Sequence, residues 1–367
     1  MLFLSSQEKA DWPHLAEEVL QGDAAPGQYD NEIRSNLLPV FHYYIGTMLA
    51  ADGQRERGID WLRAAAHYEG SRPFSASHLL GFLERNGGRL TMPVVVFRDP
   101  QAFLHFTQNP IMKVGRQKFV AECGETLPRF ERPFSMMDIG CGDGGLTVLL
   151  LKQLTECGKV GEIREILLID PSPAMVHLAE EKVRAAFPDL HITTECCRIQ
   201  DLSAGIDRRF DLAISSLAYH HMPYEEKRIH LLQLKAWIDH FIIYEMDADN
   251  DTPQQHSPEL ALAVYQSYGG IIDCILSQDV PEEVATTCVD QFLISEIVSF
   301  FIHPRGTRTE YHMLQSQWHA LFTECLSPEF SLRCCTPCYI DRYTTLFTMH
   351  YGRDESGSIE RYRVSIR

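Results

Sequence analysis

The run Met137-Asp-Ile-Gly-Cys-Gly-Asp-Gly-Gly145 gathers the parts of a cofactor cradle. An apolar segment from Phe134 ends in an acid, Asp138, and glycines follow at 140, 142, 144 and 145. Glycine takes positive φ and lets a ligand approach the main chain. The apolar segment from Leu146 reads as a helix whose first N–H groups and partial positive charge face the turn. Gly140, Gly142 and Gly145 also match the G-x-G-x-x-G spacing of dinucleotide sites, which keeps a nicotinamide-dependent oxidoreductase in view. Two features point away from it. A carboxylate at Asp138 repels a pyrophosphate but attracts a cofactor carrying ammonium and sulfonium charge. The next strand ends in Asp170, thirty residues past Gly140, where a dinucleotide site expects its ribose acid after about 20.

Three stretches in order carry a resemblance. Met137–Gly145 resembles the first motif of class I S-adenosylmethionine-dependent methyltransferases. Leu168-Ile-Asp-Pro-Ser-Pro-Ala-Met175 resembles their second strand end, and Arg209-Phe-Asp-Leu-Ala-Ile-Ser-Ser-Leu-Ala-Tyr-His-His-Met-Pro223 their fourth strand and following loop. The resemblance implies S-adenosyl-L-methionine as cofactor and S-adenosyl-L-homocysteine as product. It implies that Gly140, Cys141, Gly142, Asp143 and Gly144 line the methionine part, with Asp138 at the amino end. Asp170 would take both ribose hydroxyls, with Pro171 and Ser172 beside it and Met175 near the adenine. Ser215, Ser216 and Leu217 would close the pocket. One stretch departs from the family. Where many members place Gly-Asp after the third strand, this chain has Cys196-Cys-Arg-Ile-Gln-Asp201. Arg198 and Ile199 are the candidates for the adenine contact there, with Gln200 or Asp201 as replacements for the acid.

Two clusters offer catalytic groups. His220-His221 follows the fourth strand. His221 is a candidate base and His220 a candidate substrate contact, or the pair only shapes the cofactor pocket. Glu245-Met-Asp-Ala-Asp-Asn-Asp251 with His256 leaves the fifth strand. Glu245 and His256 are candidate catalytic groups, Tyr244 and Asp247 candidate substrate contacts. A metal-assisted reading needs several of Asp247, Asp249, Asp251 and His256 to converge; the alternative is a solvated acidic loop. Arg305 and Arg308 could clamp a substrate carboxylate. Cys334-Cys-Thr-Pro-Cys338 contains one C-x-x-C, short of the two pairs a structural zinc site wants. No metal is assigned.

Around these residues the chain reads as α/β: a Rossmann-like, seven-stranded, mostly parallel sheet with a C-terminal antiparallel hairpin, plus an N-terminal helical domain and a helical lid insertion. Residues 1–110 read as helical, with Val40–Gly53 and Arg57–Ala66 resembling one tetratricopeptide unit. That surface either docks a partner, pairs two copies in a homodimer, or caps the catalytic domain. Val94–Phe97 reads as a short strand or linker, and Val114–Cys123 as a helix ahead of the core. The core spans 111–246 and 310–367, ending in a helix at Tyr311–Leu326 and strands at Phe330–Ile340 and Tyr343–Tyr351. The lid is 247–309, with helices at Pro258–Gly269, Ile271–Gln278 and Val284–Ser299.

The 367 residues carry a net charge of −17, with 45% hydrophobic and 23% charged residues. That balance fits a globular chain and disfavours nucleic acid, which wants a basic patch. Small molecules and cationic or neutral peptides are the expected substrates. The eleven cysteines read as free thiols. Met1–Lys9 is too short for a signal peptide, and no uninterrupted apolar stretch approaches the roughly 18 residues of a membrane span. A cytoplasmic location without membrane contact is expected. The function that follows is methyl transfer to a small molecule or peptide; the alternative is a non-catalytic scaffold of the same fold that docks a partner through its helices.

Overall fold

The computed structural model describes residues 2–70, 73–93, 100–202, 206 and 208–354. The expected strand or linker at Val94–Phe97 lies outside them. The chain divides into two compact units: Met1–Ile111 with Ala248–His312 and Asp341–Thr344, and Met112–Asp247 with Met313–Ile340 and Thr345–Arg367. The insertion thus groups with the N-terminal helices rather than standing as a region of its own.

The helical unit opens with α1 (Ser6–Gln21), started by a reciprocal cap. Ser5 Oγ accepts from the Glu8 N–H at 3.2 Å, and the Glu8 carboxylate accepts from the Ser5 N–H at 2.7 Å. α2 (Leu38–Ala51) and α3 (Arg55–Glu69) follow, then α4 (Ser75–Arg85) and α5 (Pro100–Thr107). α2 and α3 approach so closely that a Cβ on Gly46 would lie 2.7 Å from Leu62 Cγ. From the insertion comes α10 (Pro258–Leu276), where two helices were expected. Gly269 and Gly270 do not break it, because Gly269 receives the Phe74 ring; a Cβ there would meet that ring at 2.6 Å. Next is a continuous helical run: α11 (Glu282–Cys288), a π turn (Val289–Ile294) and α12 (Ser295–Ile302). By length and composition alone Glu282–Ile302 is apolar enough to cross a membrane, although acids interrupt the run. Two-thirds of its most apolar window is buried, 67%, as in the core helix of a folded domain.

The second unit holds α6 (Pro110–Thr126) and the sheet strands β1 (Phe134–Ile139), β2 (Ile163–Ile169), β3 (His191–Glu195), β4 (Phe210–Ser216), β5 (Ile238–Met246), β6 (Phe330–Ile340) and β7 (Thr345–Arg353). Their order is β3-β2-β1-β4-β5-β7-β6. The first five pair in parallel, and β7 runs antiparallel between β5 and β6. β1, β4 and β5 are almost wholly buried, as parallel strands covered on both faces must be. α7 (Gly145–Glu156), α8 (Pro173–Ala186), α9 (Tyr224–Leu234) and α13 (Gln315–Leu326) cover it. One core face gathers Phe210, Phe241, Trp318, Phe322 and Tyr351. α13 starts later than expected, because Asp247 Oδ1 accepts the Gln315 N–H at 2.7 Å and fixes the first turn there.

The strand order reverses direction at β1, between β2 and β4. A crevice opens at such a switch point, outside the carboxyl ends of the strands. Asp138 and Ile139 pair with Leu168 and Ile169 on one side and with Ile214 and Ser215 on the other. The register therefore sets the ends of the three strands side by side.

Candidate functional site

The turn after β1 is held by main-chain bonds. The N–H groups of Gly140 and Cys141 both donate to Ile169 O, at 2.8 and 2.9 Å. Gly140, Gly142 and Gly144 have φ of +76°, +54° and +70°, a region costly for side-chain-bearing residues. Two of them are also forced by packing. A Cβ on Gly140 would lie 2.3 Å from Ala218 Cβ, and one on Gly144 would lie 2.7 Å from Ala179 Cα in α8. Backbone cannot yield cheaply, so Gly144→Ala is expected to cost about 2–4 kcal/mol, read as a lower midpoint in denaturant unfolding.

Asp170 spans the crevice. Its Oδ2 accepts the Gly142 N–H at 3.0 Å and its Oδ1 the Ser172 N–H at 2.9 Å. A carboxylate offers about four acceptor positions, so each oxygen keeps one for a ribose hydroxyl. Burial raises the Asp170 pKa, against the two backbone donors and His221. Asp138 lies behind the turn, 2% exposed, and accepts from the Thr147 hydroxyl. Burial pushes its pKa up to about 7; Asp170 and Asp143 add to the rise, while Thr147 and Arg116 oppose it.

Arg116 on α6 was missed in the sequence. Burial lowers its pKa, while Asp143, Tyr244 and Asp138 act to raise it. Its Nε is buried with no hydrogen-bond partner. The signal was an arginine on a helix turn that also carries Gly115, where a Cβ would fall 2.0 Å from the Tyr244 hydroxyl. Tyr244 is fully buried against α6, 5.4 Å from the Phe119 ring. It is placed to support α6 rather than to meet a substrate. Buried Ser215 Oγ is likewise without a partner.

Other expected cofactor contacts have different partners. Asp143 pairs with Lys182 of α8 and accepts the Gly145 N–H at 3.1 Å, so it caps α7. Ser172 caps α8 through Met175 N–H at 3.4 Å, and Met175 is fully buried. Cys141 is buried, which raises its thiol pKa well up, and Pro171 is exposed. Arg198 is exposed and bonded twice to Asp201, at 2.7 and 3.0 Å. Gln200 donates to Glu226 at 2.7 Å. Both candidate replacements for the adenine acid are therefore engaged elsewhere, and Ile199, 6% exposed, packs in the core.

Beyond β4, Leu217 adopts φ of +50° and its N–H donates to Tyr244 O at 2.8 Å. Ser216 and Leu217 are half-buried at the strand end. Glu245, fully buried, accepts the Tyr219 N–H at 3.1 Å and faces His220 Nδ1 at 2.7 Å. The carboxylate thus orients His220. His221 is exposed, its ring 4.4 Å from that of His220. Asp247 is spent on the α13 cap. His256, Arg305 and Arg308 belong to the helical unit. His256 has φ of +61° and a pKa lowered by burial and then Arg308. Arg305 pairs with Asp251 at 3.0 Å. Arg308, 4% exposed, donates to Asn250 O at 3.1 Å. Asp249 accepts from Thr252, so these acids are held singly.

Residues 136–238 match a family model described as a methyltransferase domain. Malonyl-[acyl-carrier protein] O-methyltransferase of Priestia megaterium is 32% identical over 90 residues, 24% of this chain. The match spans about a quarter of that relative, 28% of its length. Among solved structures, SCL7 of Oryza sativa matches 85% of this chain and 99% of its own, with TM-score 0.59 and 14% identity. Magnesium protoporphyrin IX methyltransferase from Synechocystis PCC 6803 with bound SAM matches 71% of this chain and 100% of its own, with TM-score 0.38 and 13% identity. The sheet with its antiparallel ending is an α/β, Rossmann-like fold, and residues 136–238 within it match a methyltransferase domain.

Proposed function

We propose that the chain is an S-adenosylmethionine-dependent methyltransferase that acts on a small molecule or peptide. The observation that carries this is the β1–α7 turn, with three positive-φ glycines between buried Asp138 and Asp170. The residues fit the cofactor. Asp138 suits its ammonium, Arg116 its carboxylate and Asp170 its ribose hydroxyls, while Ser215 Oγ lacks a partner in the protein. When bound, the cofactor supplies an electrophilic methyl group on a sulfonium. The protein's task is alignment and exclusion of water. His220, held at 2.7 Å from Glu245 through Nδ1, is the imidazole we assign to take a proton from an acceptor hydroxyl, amine or acidic carbon.

The net charge of −17 favours neutral or cationic acceptors. Turnover of labelled S-adenosylmethionine with a panel of such acceptors tests the activity. A labelled product absent from the His220→Ala variant supports it; no product from any acceptor class counts against it. Arg116→Met is expected to weaken S-adenosylhomocysteine binding about 10- to 30-fold, the loss of one charge-assisted contact, measured by calorimetry.

One observation favours a second reading. The Arg198–Asp201 and Gln200–Glu226 pairings leave the adenine acid unreplaced. A non-catalytic binding protein of this fold would retain a partner from extract at fixed stoichiometry and give no methylated product.

A further inference from the structure

We propose that Glu296, Glu310 and His312 of the helical unit hold one divalent first-row transition-metal ion. Each offers a ligand atom, and these atoms all lie within 4.8 Å of one another. Glu310 and His312 are each 3% exposed. Two carboxylates and an imidazole form a mixed oxygen–nitrogen donor set of the kind manganese, iron, cobalt or zinc accepts.

A second observation is independent of the triad. Asn250 is fully buried, and its Oδ1 has no hydrogen-bond partner. It lies beside Tyr268, which Glu296 and Glu310 also neighbour. Burial, then Glu296 and Glu310, drive the pKa of fully buried Tyr268 well up, and Asn250 acts on that hydroxyl in the opposite sense. A buried amide with an unused oxygen fits a further ligand, or a bond to water on the ion.

The frame around the triad is tied down at several points. The Thr309 N–H donates to Ser299 Oγ at 3.0 Å, fixing the segment before Glu310 to α12. The N–H groups of Asn250 and Asp251 donate to His312 O at 3.3 and 3.2 Å. Arg308 holds Asn250 O at 3.1 Å. Glu310 and His312 lie two residues apart, the spacing that puts side chains on one face of extended chain. Glu296 is the second residue after the π turn, and such turns shift the face a helix presents and recur at functional sites. No short ligand motif announces the set, since thirteen residues separate Glu296 from Glu310. Asn250 belongs to the acidic loop weighed in the sequence, but the three ligands do not, and the site does not depend on the methyltransferase reading.

The test uses the purified full chain, stripped with chelator, dialysed and titrated with Co²⁺ alone while visible absorption is followed. One equivalent at micromolar affinity, displaced by Zn²⁺, is expected. Glu310→Gln and His312→Gln should each weaken binding by about 100-fold. Because either buried change could unfold the chain, circular dichroism precedes each titration, and Glu296→Gln at the half-buried ligand provides the second variant. A folded wild-type chain that takes up no stoichiometric Co²⁺ overturns the proposal. So does equal uptake by folded Glu296→Gln, which would assign the ion to surface histidines.

Discussion

Replacing Asp170 by alanine is expected to weaken S-adenosylhomocysteine binding by about 100- to 1000-fold, the loss of two hydrogen bonds to a charged acceptor at about 1.5–3 kcal/mol each, allowing for partial compensation by water. Two losses combine. The ribose hydroxyls lose their acceptor, and Gly142 and Ser172 lose the carboxylate that fixes their N–H groups. Asp170→Asn separates them. An amide keeps one oxygen acceptor of proper shape, so the turn survives in part and an intermediate loss is expected. Calorimetry on both variants checks this, with thermal unfolding as the control for the turn. Equal affinity in wild type and Asp170→Ala would remove Asp170 from the site.

The second large effect is a pH dependence set at Asp138. Its folded pKa is raised to about 7 from the ordinary 3.8. A raised folded pKa gives stability that is full below the unfolded value and lost as pH climbs through the folded one. Without cofactor, the native protein should therefore lose stability between about pH 4 and pH 7, by a few kcal/mol from this group. Asp138→Asn should lack that loss. Cofactor binding runs the other way, because the ammonium needs the anion. Below pH 7 the carboxyl must release its proton first, so affinity should fall by up to about tenfold per pH unit until the pH reaches the pKa of the group in the complex. Asp170, Asp143 and Arg116 act on the same carboxyl, and Asp138→Asn isolates its share. Titrations at pH 6 and pH 8 in buffers of different ionisation heat should show proton release at pH 6 and little at pH 8. Affinity that is flat across this range in the wild type would contradict the assignment.

Why some of this was readable in the sequence and some not follows from where each constraint acts. Positive φ after β1 is a local demand, and glycine meets it in every context, so the turn showed at once. The strand-end acids showed for the same reason, since Asp138 and Asp170 flank turns that any parallel sheet must make. The contacts that forbid a side chain at Gly140 and Gly144 come from Ala218 and Ala179, far along the chain and silent in a local pattern. Asp143 and Asp247 read as ligands because acid beside a cofactor turn suggests binding. Each instead receives backbone N–H groups at a helix start, a use that composition does not distinguish from chemistry. The Gly269–Gly270 pair suggested a break in α10 that the Phe74 ring fills instead. Glu245 was singled out, but its bond to His220 joins two segments twenty-five residues apart, which a local pattern does not show. Arg116 was invisible because its neighbours Asp138, Asp143 and Tyr244 lie on three other segments.

The central claim is that the β1–α7 turn holds S-adenosylmethionine. Calorimetric titration of the full chain at pH 8 with S-adenosylhomocysteine, with NADH as the control, tests it most directly. Micromolar one-to-one binding of S-adenosylhomocysteine and none of NADH is the predicted result. Binding of NADH, or of neither by the folded chain, would contradict it.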